Sequence, residues 1–447
     1  MNKFHLSFVI SLSFCVLHLF AHKLSDYGAI PNDSSDNTVI QNGLALEAAL
    51  IAANFSSDDR TVLIESNLSY HIIPSRVISG LSNIVLQIDG NLIAWEGAIE
   101  KWPRDNFNAS IALISLNDTN NITIRGNGVL EGLGYRWWWH VILQGDDNRP
   151  YLLQMGNSVK TIIEDLTFSN SPEYHVFLMN MNDLLVQNIK VTVDIEGQRS
   201  YLEKAGFIYK DFIPTFPLNT DGIDISGIDI IVRNCTFVNF DDAIAVKPLH
   251  QGQSLYTTCT QNVLIENCHV TYSVGMAIGS LAPHGNTNCI RNVTIRNIVF
   301  ETPIKAIYIK ANPGIVGNGI ISDILYEGIQ INNALLWAIW IGPQQQHQPH
   351  GFSTGCSFFY PLPFTECPTN PLVSFDRIVL RDVNITKGNF SPGVLLCNST
   401  NPCTNFVFDR VNAFDWSIVP YYRGTHCENV QGRAINSNLI PECFEKN

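Results

Sequence analysis

Three aspartates that stand close together in the sequence could share acid–base chemistry. Asp221 lies in the segment Asn219–Gly222. Asp241 and Asp242 follow it after 20 and 21 residues. Carboxylates that meet in one site repel each other, and burial raises the pKa of at least one of them. One group then stays protonated as a general acid while another stays ionised as a base, which is what hydrolysis of a glycosidic bond requires.

The same residues are also compatible with metal binding and with a purely structural turn. Clustered carboxylates bind Ca²⁺, because hard cations prefer oxygen ligands. An Asp-Asp pair can simply form a turn, since aspartate side chains commonly bond their own backbone. The residues alone do not separate these two roles from catalysis.

A recurring strand pattern provides the elements that would position the aspartates. Each copy begins with a polar residue and continues with apolar residues that alternate with others. The copies start at Asn121, Asp183, Asp229, Asn262, Asn292, Asp323 and near Arg377. From Asp183 to Asp323 the starts are 46, 33, 30 and 31 residues apart. Alternation at period two indicates strands, and self-similarity at this spacing indicates a solenoid.

The sequence therefore predicts an all-β fold, a single-stranded right-handed parallel β-helix. Its coils would stack about 4.8 Å apart and bury their inward side chains against one another. Residues 42–54 have helical spacing and would cap the N-terminal end. A β-sandwich is the alternative, but it predicts turns about every 8–12 residues and no self-match near 30 residues. Because residues one coil apart become neighbours, the three aspartates should cluster at one sheet edge near Gly222.

Composition excludes two classes of protein. The 447 residues carry 27 Lys and Arg against 40 Asp and Glu, a formal net charge of −13. Hydrophobic residues make up 45% and charged residues 15%, which excludes a disordered chain. The acidic balance argues against a nucleic-acid partner, which requires a basic excess. We expect a monomer that binds neither nucleic acid nor membrane.

The N-terminal 21 residues have the organisation of a secretory signal peptide. Lys3 precedes an apolar run from Phe8 to Phe20, and the small residue Ala21 follows. A membrane anchor or a buried helix is the alternative. We expect cleavage near Ala21, secretion to the extracellular space, and one β-helix domain over residues 22–447 with a cysteine-rich region from about residue 356. Repeated Asn-x-Ser/Thr sites fit a secreted glycoprotein.

Ten cysteines remain after signal cleavage, an even number that predicts up to five disulfides in an oxidising compartment. The short-range pairs Cys356–Cys367, Cys397–Cys403 and Cys427–Cys443 are compatible with the spacing. The connectivity stays open, because spacing alone does not decide it.

The motifs around the aspartates resemble those of glycoside hydrolase family 28, the polygalacturonases and rhamnogalacturonases. The resemblance covers roughly residues 24–342. It is carried by Asn219–Gly222, Asp241–Lys247, Gly275–Ser280 and Tyr308–Lys310, with weaker matches at Asp26–Ala29, Asp36–Thr38, Asn148–Pro150 and Ser171–His175. It implies inverting hydrolysis of a pectic polysaccharide in the cell wall, with neither metal nor cofactor.

The resemblance also implies roles for individual residues. Asp241 matches the general acid, and Asp221 and Asp242 match the pair that holds and activates water. Lys310 matches the lysine that grips a substrate carboxylate, which is sound charge chemistry. Further substrate contacts are expected from the motif residues Tyr308, Asn219, Gly275 and His175. For His175 and Lys310 the alternatives are a buried structural histidine and a solvated strand residue.

Two departures from the family motifs leave the substrate open. Polygalacturonases have Gly-His-Gly in the third motif, where this chain has Val274 in place of the histidine. Their fourth motif has arginine where this chain has Tyr308, which offers a stacking face and one hydroxyl instead of a bidentate cation. Both changes point to the rhamnogalacturonase branch. The intact Asp241 and Asp242 pair is the polygalacturonase form and argues against a dead enzyme.

Other hypotheses follow from weaker features. A non-catalytic carbohydrate-binding solenoid and a Ca²⁺-dependent polysaccharide lyase remain alternatives to the hydrolase. Trp137–His140 could be a sugar-stacking platform or could pack on the solenoid wall. His347 and His350 have a spacing that hints at metal, although a solvated loop is the simpler interpretation because neither carboxylate nor cysteine accompanies them.

Overall fold

The computed structural model describes residues 21–144, 147–204, 215–250, 254, 256–281, 287–314, 317–345, 356–362 and 366–445. Within these ranges the regular secondary structure is mostly strand, and the strands join into one sheet. Strand pairs between consecutive coils are parallel, whereas Leu249–His250 pairs antiparallel with the strand Thr287–Glu301. The predicted parallel β-helix is confirmed, and the sandwich alternative is wrong, because its sheets would be built from antiparallel neighbours.

The strands of the described residues follow in chain order. They are β1 (His22–Lys23), β2 (Thr61–Ile64), β3 (Ser69–Ile72), β4 (Ile78–Ser79), β5 (Ser82–Ile88), β6 (Asn91–Ala94), β7 (Ile114–Asn117), β8 (Asn120–Arg125), β9 (Val129–Glu131), β10 (Leu153–Gly156), β11 (Val159–Glu164), β12 (Thr167–Ser169), β13 (Val176–Gln187), β14 (Lys190–Thr192), β15 (Ile223–Arg233), β16 (Thr236–Val238), β17 (Asp242–Val246), β18 (Leu249–His250), β19 (Thr260–Thr271), β20 (Gly275–Leu281), β21 (Thr287–Glu301), β22 (Ile307–Ala311), β23 (Asn318–Ala334), β24 (Ile339–Pro343), β25 (Val373–Gly388), β26 (Gly393–Leu396), β27 (Cys403–Trp416), β28 (Thr425–Glu428) and β29 (Val430–Ile435).

The helices are few. The α-helices are α1 (Asp36–Phe55), α2 (Tyr135–Gln144) and α3 (Ile195–Lys204), and short 3₁₀ turns occupy Leu24–Tyr27 and Ile99–Lys101. Helix α1 packs on β1, β2, β3 and β5 at the N-terminal end. It buries Ala49, Leu50 and Ala53 there. The predicted capping helix is confirmed, although it begins at Asp36, ahead of the predicted start. No helix that the structure describes is long and apolar enough to cross a bilayer.

One face of the solenoid, which we call the site face, carries the aspartates. It is formed by β10, the first part of β13 and of β15, and then β17, β20, β22 and β24. One residue from the beginning of each strand stacks in register, which gives a buried column of Leu153, Val176, Ile223, Ile244, Met276, Ile307 and Ile339. Each is 0% exposed. Burial of such a side chain stabilises the fold by roughly 1.5–3 kcal/mol, so the column fixes the register of the coils.

The polar residue that opens each sequence repeat turns the chain at a corner of the coil. Its φ lies between 52° and 61° at Asn121, Asp183, Asp229, Asn262, Asn292, Asp323 and Arg377. This left-handed conformation favours Asn and Asp over other residues with a side chain. The amides also bond along the stack: Asn262 donates to Asp229 at 2.8 Å and accepts from Asn292 at 2.7 Å. The polar residue that opens each sequence repeat therefore marks a corner of the coil.

Four disulfides form among the described cysteines. They are Cys259–Cys289, Cys356–Cys367, Cys397–Cys403 and Cys427–Cys443. The three short-range pairs are therefore confirmed, while the upper limit of five is not reached, since Cys235 and Cys268 are buried free thiols. Apart from Ala21, the predicted signal peptide lies outside the described residues.

The corner amides yield a stability prediction. We expect Asn262→Ala to lower the free energy of unfolding by about 2 kcal/mol, because alanine resists the left-handed conformation and removes two hydrogen bonds. Asn262→Gly keeps the conformation and loses only the hydrogen bonds, so it should cost about half as much. Urea or thermal unfolding of the two variants measures both effects. Equal stability of Asn262→Ala and the parent chain would contradict the assigned role of the corner.

Candidate active site

The structure brings the three aspartates together at the start of two adjacent strands of the site face. Ile223 pairs with Ile244, which places Asp221 beside Asp242. The amide of Gly222 donates to the carbonyl of Asp242 at 2.9 Å. One carboxylate oxygen from each of Asp221, Asp241 and Asp242 lies within 4.8 Å of the others. The spacing of 20 and 21 residues therefore places Asp221 next to Asp241 and Asp242 in the neighbouring coil, as the sequence predicted.

An asparagine that sequence reasoning missed fixes the backbone of both aspartate segments. The side-chain nitrogen of Asn239 donates to the carbonyl oxygens of Thr220, Asp241 and Asp242 at 2.9, 3.0 and 2.9 Å. Asn239 is 0% exposed, so these bonds are shielded from water. The only sequence signal was its position two residues before the pair, which does not distinguish a clamp from a turn.

Arg149 holds the turn that leads to Asp221. Its guanidinium donates to the side-chain oxygen of Asn219 at 3.0 Å and to the carbonyl oxygen of Pro172 at 3.1 Å. An ion pair with Asp147 at 2.7 Å compensates its charge. Asn219 itself has a φ of 56° and is 7% exposed. The structure therefore gives the predicted substrate contact Asn219 a local task, which is to turn the chain so that Asp221 enters the cluster.

His175 supports the same segment from the coil before. Its Nδ1 atom is 2.9 Å from the carbonyl oxygen of Asp221, and its Nε2 atom accepts from the amide of Ser171 at 3.3 Å. The ring is 0% exposed, and burial lowers the pKa of His175 to about 4, so it is neutral. The suggestion that His175 binds substrate does not fit this burial. The alternative, a structural histidine with both nitrogens engaged, does.

The acid cluster is desolvated and partly compensated. Burial raises the pKa of Asp221 well above its ordinary range, and the neighbouring Asp241 adds to the shift. Burial together with the charge of Asp242 raises the pKa of Asp241 to about 6. The ammonium of Lys310 lies 2.7 Å from Oδ2 of Asp242 and compensates its charge. Burial therefore favours the protonated form of Asp221 and Asp241, whereas Asp242 is held in an ion pair with Lys310.

A second ion pair, missed in the sequence, borders the cluster. Asp224 lies inside the buried strand β15 and is 0% exposed. Its Oδ2 atom is 3.1 Å from the ammonium of Lys247, whose side chain is 23% exposed. An aspartate within an apolar strand needs a partner, because an unpaired buried charge is costly. The position of Asp224 within an apolar strand segment was therefore the sequence feature that could have predicted this ion pair.

Two further motif residues have structural tasks. Gly275 has a φ of 112°, and a Cβ atom there would lie 2.3 Å from the carbonyl oxygen of Ala306. Only glycine therefore fits where the two coils approach. Tyr308 is 3% exposed, and its hydroxyl accepts from the amide of Gln345 at 3.0 Å. Its ring faces the ammonium of Lys310 at 4.5 Å, so it is occupied by protein rather than open to a sugar.

The remaining candidates lie elsewhere. Trp137, Trp138 and Trp139 are at most 3% exposed within α2, which corresponds to the packing alternative rather than an exposed platform. His347 and His350 lie outside the described residues.

Comparison with known proteins identifies the family. The model of the glycosyl hydrolases family 28 matches residues 72–437, most of the chain. The chain belongs to this family. This family 28 glycosidase is 26% identical over 394 residues to exopolygalacturonase A of Aspergillus niger, covering 82% of this chain and 80% of that protein.

Solved structures agree on the fold of the family 28 chain. An exopolygalacturonase from Thermotoga maritima matches with a TM-score of 0.64 at 16% identity, covering 93% of this chain and 90% of that one. The polygalacturonase from Erwinia carotovora ssp. carotovora matches with a TM-score of 0.60 at 18% identity, covering 90% and 95%. At these identities the likeness describes the β-helix alone.

The Asn239 clamp of this family 28 hydrolase can be tested. We expect Asn239→Ala to lower the free energy of unfolding by about 1–3 kcal/mol, because three buried carbonyl groups each lose one hydrogen bond. The same change should reduce kcat, since both aspartate segments lose a shared support. Thermal unfolding and steady-state kinetics measure the two effects, with exposed Asn127→Ala as the control. A variant with unaltered stability and kcat would show that the clamp has no role.

Proposed function

We propose that the protein is a secreted, polygalacturonase-type enzyme that hydrolyses the backbone of a pectic polysaccharide with inversion. The observation that carries this proposal is the convergence of three buried carboxylates from consecutive coils, with oxygens within 4.8 Å of one another, beside the lysine of the fourth family motif. The hydrophobic core runs from Leu24 to Phe444, so we treat residues 22–447 as one catalytic domain.

Asp241 is the proposed general acid. It is the most exposed member of the cluster, at 6% against 3% for Asp221 and 0% for Asp242, and it matches the general acid of the family motif. Its raised pKa of about 6 keeps it protonated at mildly acidic pH. Asp241 transfers this proton to the glycosidic oxygen as the bond between that oxygen and the anomeric carbon breaks.

Asp242 and Asp221 are the proposed water-activating pair. Asp242 carries the negative charge that the ammonium of Lys310 compensates at 2.7 Å, so it is suited to remove a proton from water. Asp221, with a raised pKa, is suited to hold the same water by a hydrogen bond. The hydroxyl attacks the anomeric carbon, and the proton of the water remains on the carboxylate. Because the ammonium of Lys310 is already paired with Asp242, it can bind a substrate carboxylate only while it keeps this ion pair.

The stereochemical outcome rests on the family motifs rather than on distance. Oxygens within 4.8 Å lie closer than the roughly 6.5–9.5 Å usual for inverting glycosidases, and nearer the roughly 5–5.5 Å of retaining ones. A water held between two carboxylates beside the acid can still attack without a covalent intermediate. The anomer released first therefore discriminates between the two courses.

Charge favours a galacturonate-containing substrate. Lys247 and Lys310 border the acid cluster, and ammonium groups suit the carboxylates of uronic acids. The relative from Aspergillus niger is named an exopolygalacturonase, which supports polygalacturonan as the first choice. Rhamnogalacturonan is the second candidate, because Val274 and Tyr308 replace the histidine and arginine of polygalacturonases. Four disulfides support an oxidising, extracellular location.

A substrate panel tests the function. We expect new reducing ends from polygalacturonate, at a lower rate from rhamnogalacturonan, with no change when a chelator is added. Proton NMR of the earliest product should show the anomer opposite to that of the cleaved bond. Release of unsaturated, ultraviolet-absorbing products that depends on Ca²⁺ would indicate a lyase. Binding to pectin without any new reducing end would indicate a carbohydrate-binding solenoid.

Asp241→Asn provides the matched loss of function. The amide keeps the shape but has no transferable proton, so kcat should fall by about a hundredfold to ten-thousandfold. Asp183→Asn is the control, since it makes the same chemical change at an exposed corner that asparagine tolerates. Wild-type activity in Asp241→Asn would remove the acid assignment.

The pH profile gives an independent test of Asp241. Because its protonated form is the reactive one, kcat/KM should be retained below its pKa of about 6 and fall as the pH rises through that value. Recovery of activity after return to acidic pH separates titration from unfolding. An undiminished kcat/KM up to about pH 8 would contradict a protonated Asp241 in the reaction.

A further inference from the structure

A third lysine lies beside the acid cluster and has no role in the reaction described above. Lys305 is 1% exposed and ranks among the largest fully buried side chains. Its ammonium lies 4.5 Å from the centre of the Tyr308 ring and 4.8 Å from that of Phe358. In the described part of the chain, its ammonium forms neither a hydrogen bond nor an ion pair closer than 4 Å.

Aromatic faces alone are a weak shelter for a buried cation. They attract an ammonium through the ring quadrupole, but they replace only part of its lost hydration. Burying a charged lysine in this way costs free energy unless negative charge nearby compensates it. The nearby acids are Asp242 and Asp241, and the carboxylate form of each favours the charged form of Lys305.

The register places Lys305 one coil beyond the position where the family has histidine. Val274 donates its amide to the carbonyl of Asp241 at 2.8 Å, so position 274 is directly beside the acid. The amide of Lys305 in turn contacts the carbonyl of Ser273 at 3.4 Å. Valine brings no charge to the acid, whereas Lys305 brings an ammonium from the next coil.

We propose that Lys305 is a positioning residue that provides, from the coil that follows Val274, a positive charge that acts on the carboxyl group of Asp241. The inference rests on the proposed role of Asp241 as general acid. Lys305 acts through Asp241 and does not touch the substrate, because its ammonium lies against the rings of Tyr308 and Phe358 and it is 1% exposed, against 6% for Lys310.

The charge of Lys305 has a defined effect on the acid. The groups that face it are Asp241, Asp242, Lys310 and Tyr308. A positive charge favours the carboxylate form of Asp241, which makes Asp241 a stronger acid and opposes the effect of burial. Burial and the charge of Lys310 lower the pKa of Lys305 to about 7, so Lys305 remains positive at the acidic pH where Asp241 is protonated.

Lys305→Met tests this role. Methionine matches the length of the side chain and removes a desolvated charge, so the variant should fold with an equal or higher thermal midpoint. We expect the alkaline limb of its kcat/KM profile to move upward by roughly one pH unit. We also expect kcat at mildly acidic pH to fall about tenfold while KM changes little, since a weaker acid protonates the leaving oxygen less readily.

Two further variants complete the design. Lys305→Arg keeps the charge, so the alkaline limb of its kcat/KM profile should coincide with that of the wild type. Lys190→Met changes an exposed lysine on another face and should alter neither this limb nor kcat. A Lys305→Met profile that coincides with the wild type would overturn the inference while leaving the hydrolase proposal standing. If Lys305→Met cannot be produced, a Lys305→Arg limb displaced by a full unit would overturn it instead. Absence of hydrolysis by the wild type would reject the proposed function itself.

Discussion

The pairing of Ile223 with Ile244 is the contact on which the site depends. It places two buried isoleucines in register and, two residues earlier, Asp221 beside Asp242. A shift of one residue would turn every side chain of the strand to the opposite face, so apolar burial protects the carboxylate cluster from misregistration. The glycine at position 222 lets its amide reach the carbonyl of Asp242. Packing inside the solenoid and chemistry outside it are therefore consequences of one register.

Desolvation gives the cluster its reactivity and also its cost. Carboxyl groups removed from water resist ionisation, which holds a proton on Asp241 at mildly acidic pH. The negative charge that remains is met by ammonium groups from later coils, Lys310 on Asp242 and Lys247 on Asp224. Loss of one partner from a buried pair leaves an uncompensated charge, which is more damaging than loss of both. The acids and lysines of this face are thus energetically one unit.

The departures from the family motifs acquire a physical meaning in this setting. Tyr308 does not offer a free face to sugar, because its ring lies against the ammonium groups of Lys305 and Lys310. Its hydroxyl joins the segment at Gln345, and Phe358 from the Cys356–Cys367 loop covers Lys305. The cysteine-rich region therefore closes the aromatic side of the site. The tyrosine that stands where the family motif has arginine thus lies against two ammonium groups.

Local sequence patterns determined the β-helix, its capping helix and the pairing of Asp221 with Asp241 and Asp242, because alternation and left-handed corners repeat in every coil. Spacing was compatible with the three short-range disulfides, but it did not decide the connectivity. Only the tertiary structure decided the tasks of Asn239, Arg149, His175 and Lys305, along with the two cysteines that stay reduced. Each of these depends on which coil a side chain meets and how deeply it is buried. Successive repeats start 46, 33, 30 and 31 residues apart, so their loops differ in length. Distance along the chain therefore does not show which residues of neighbouring coils lie side by side.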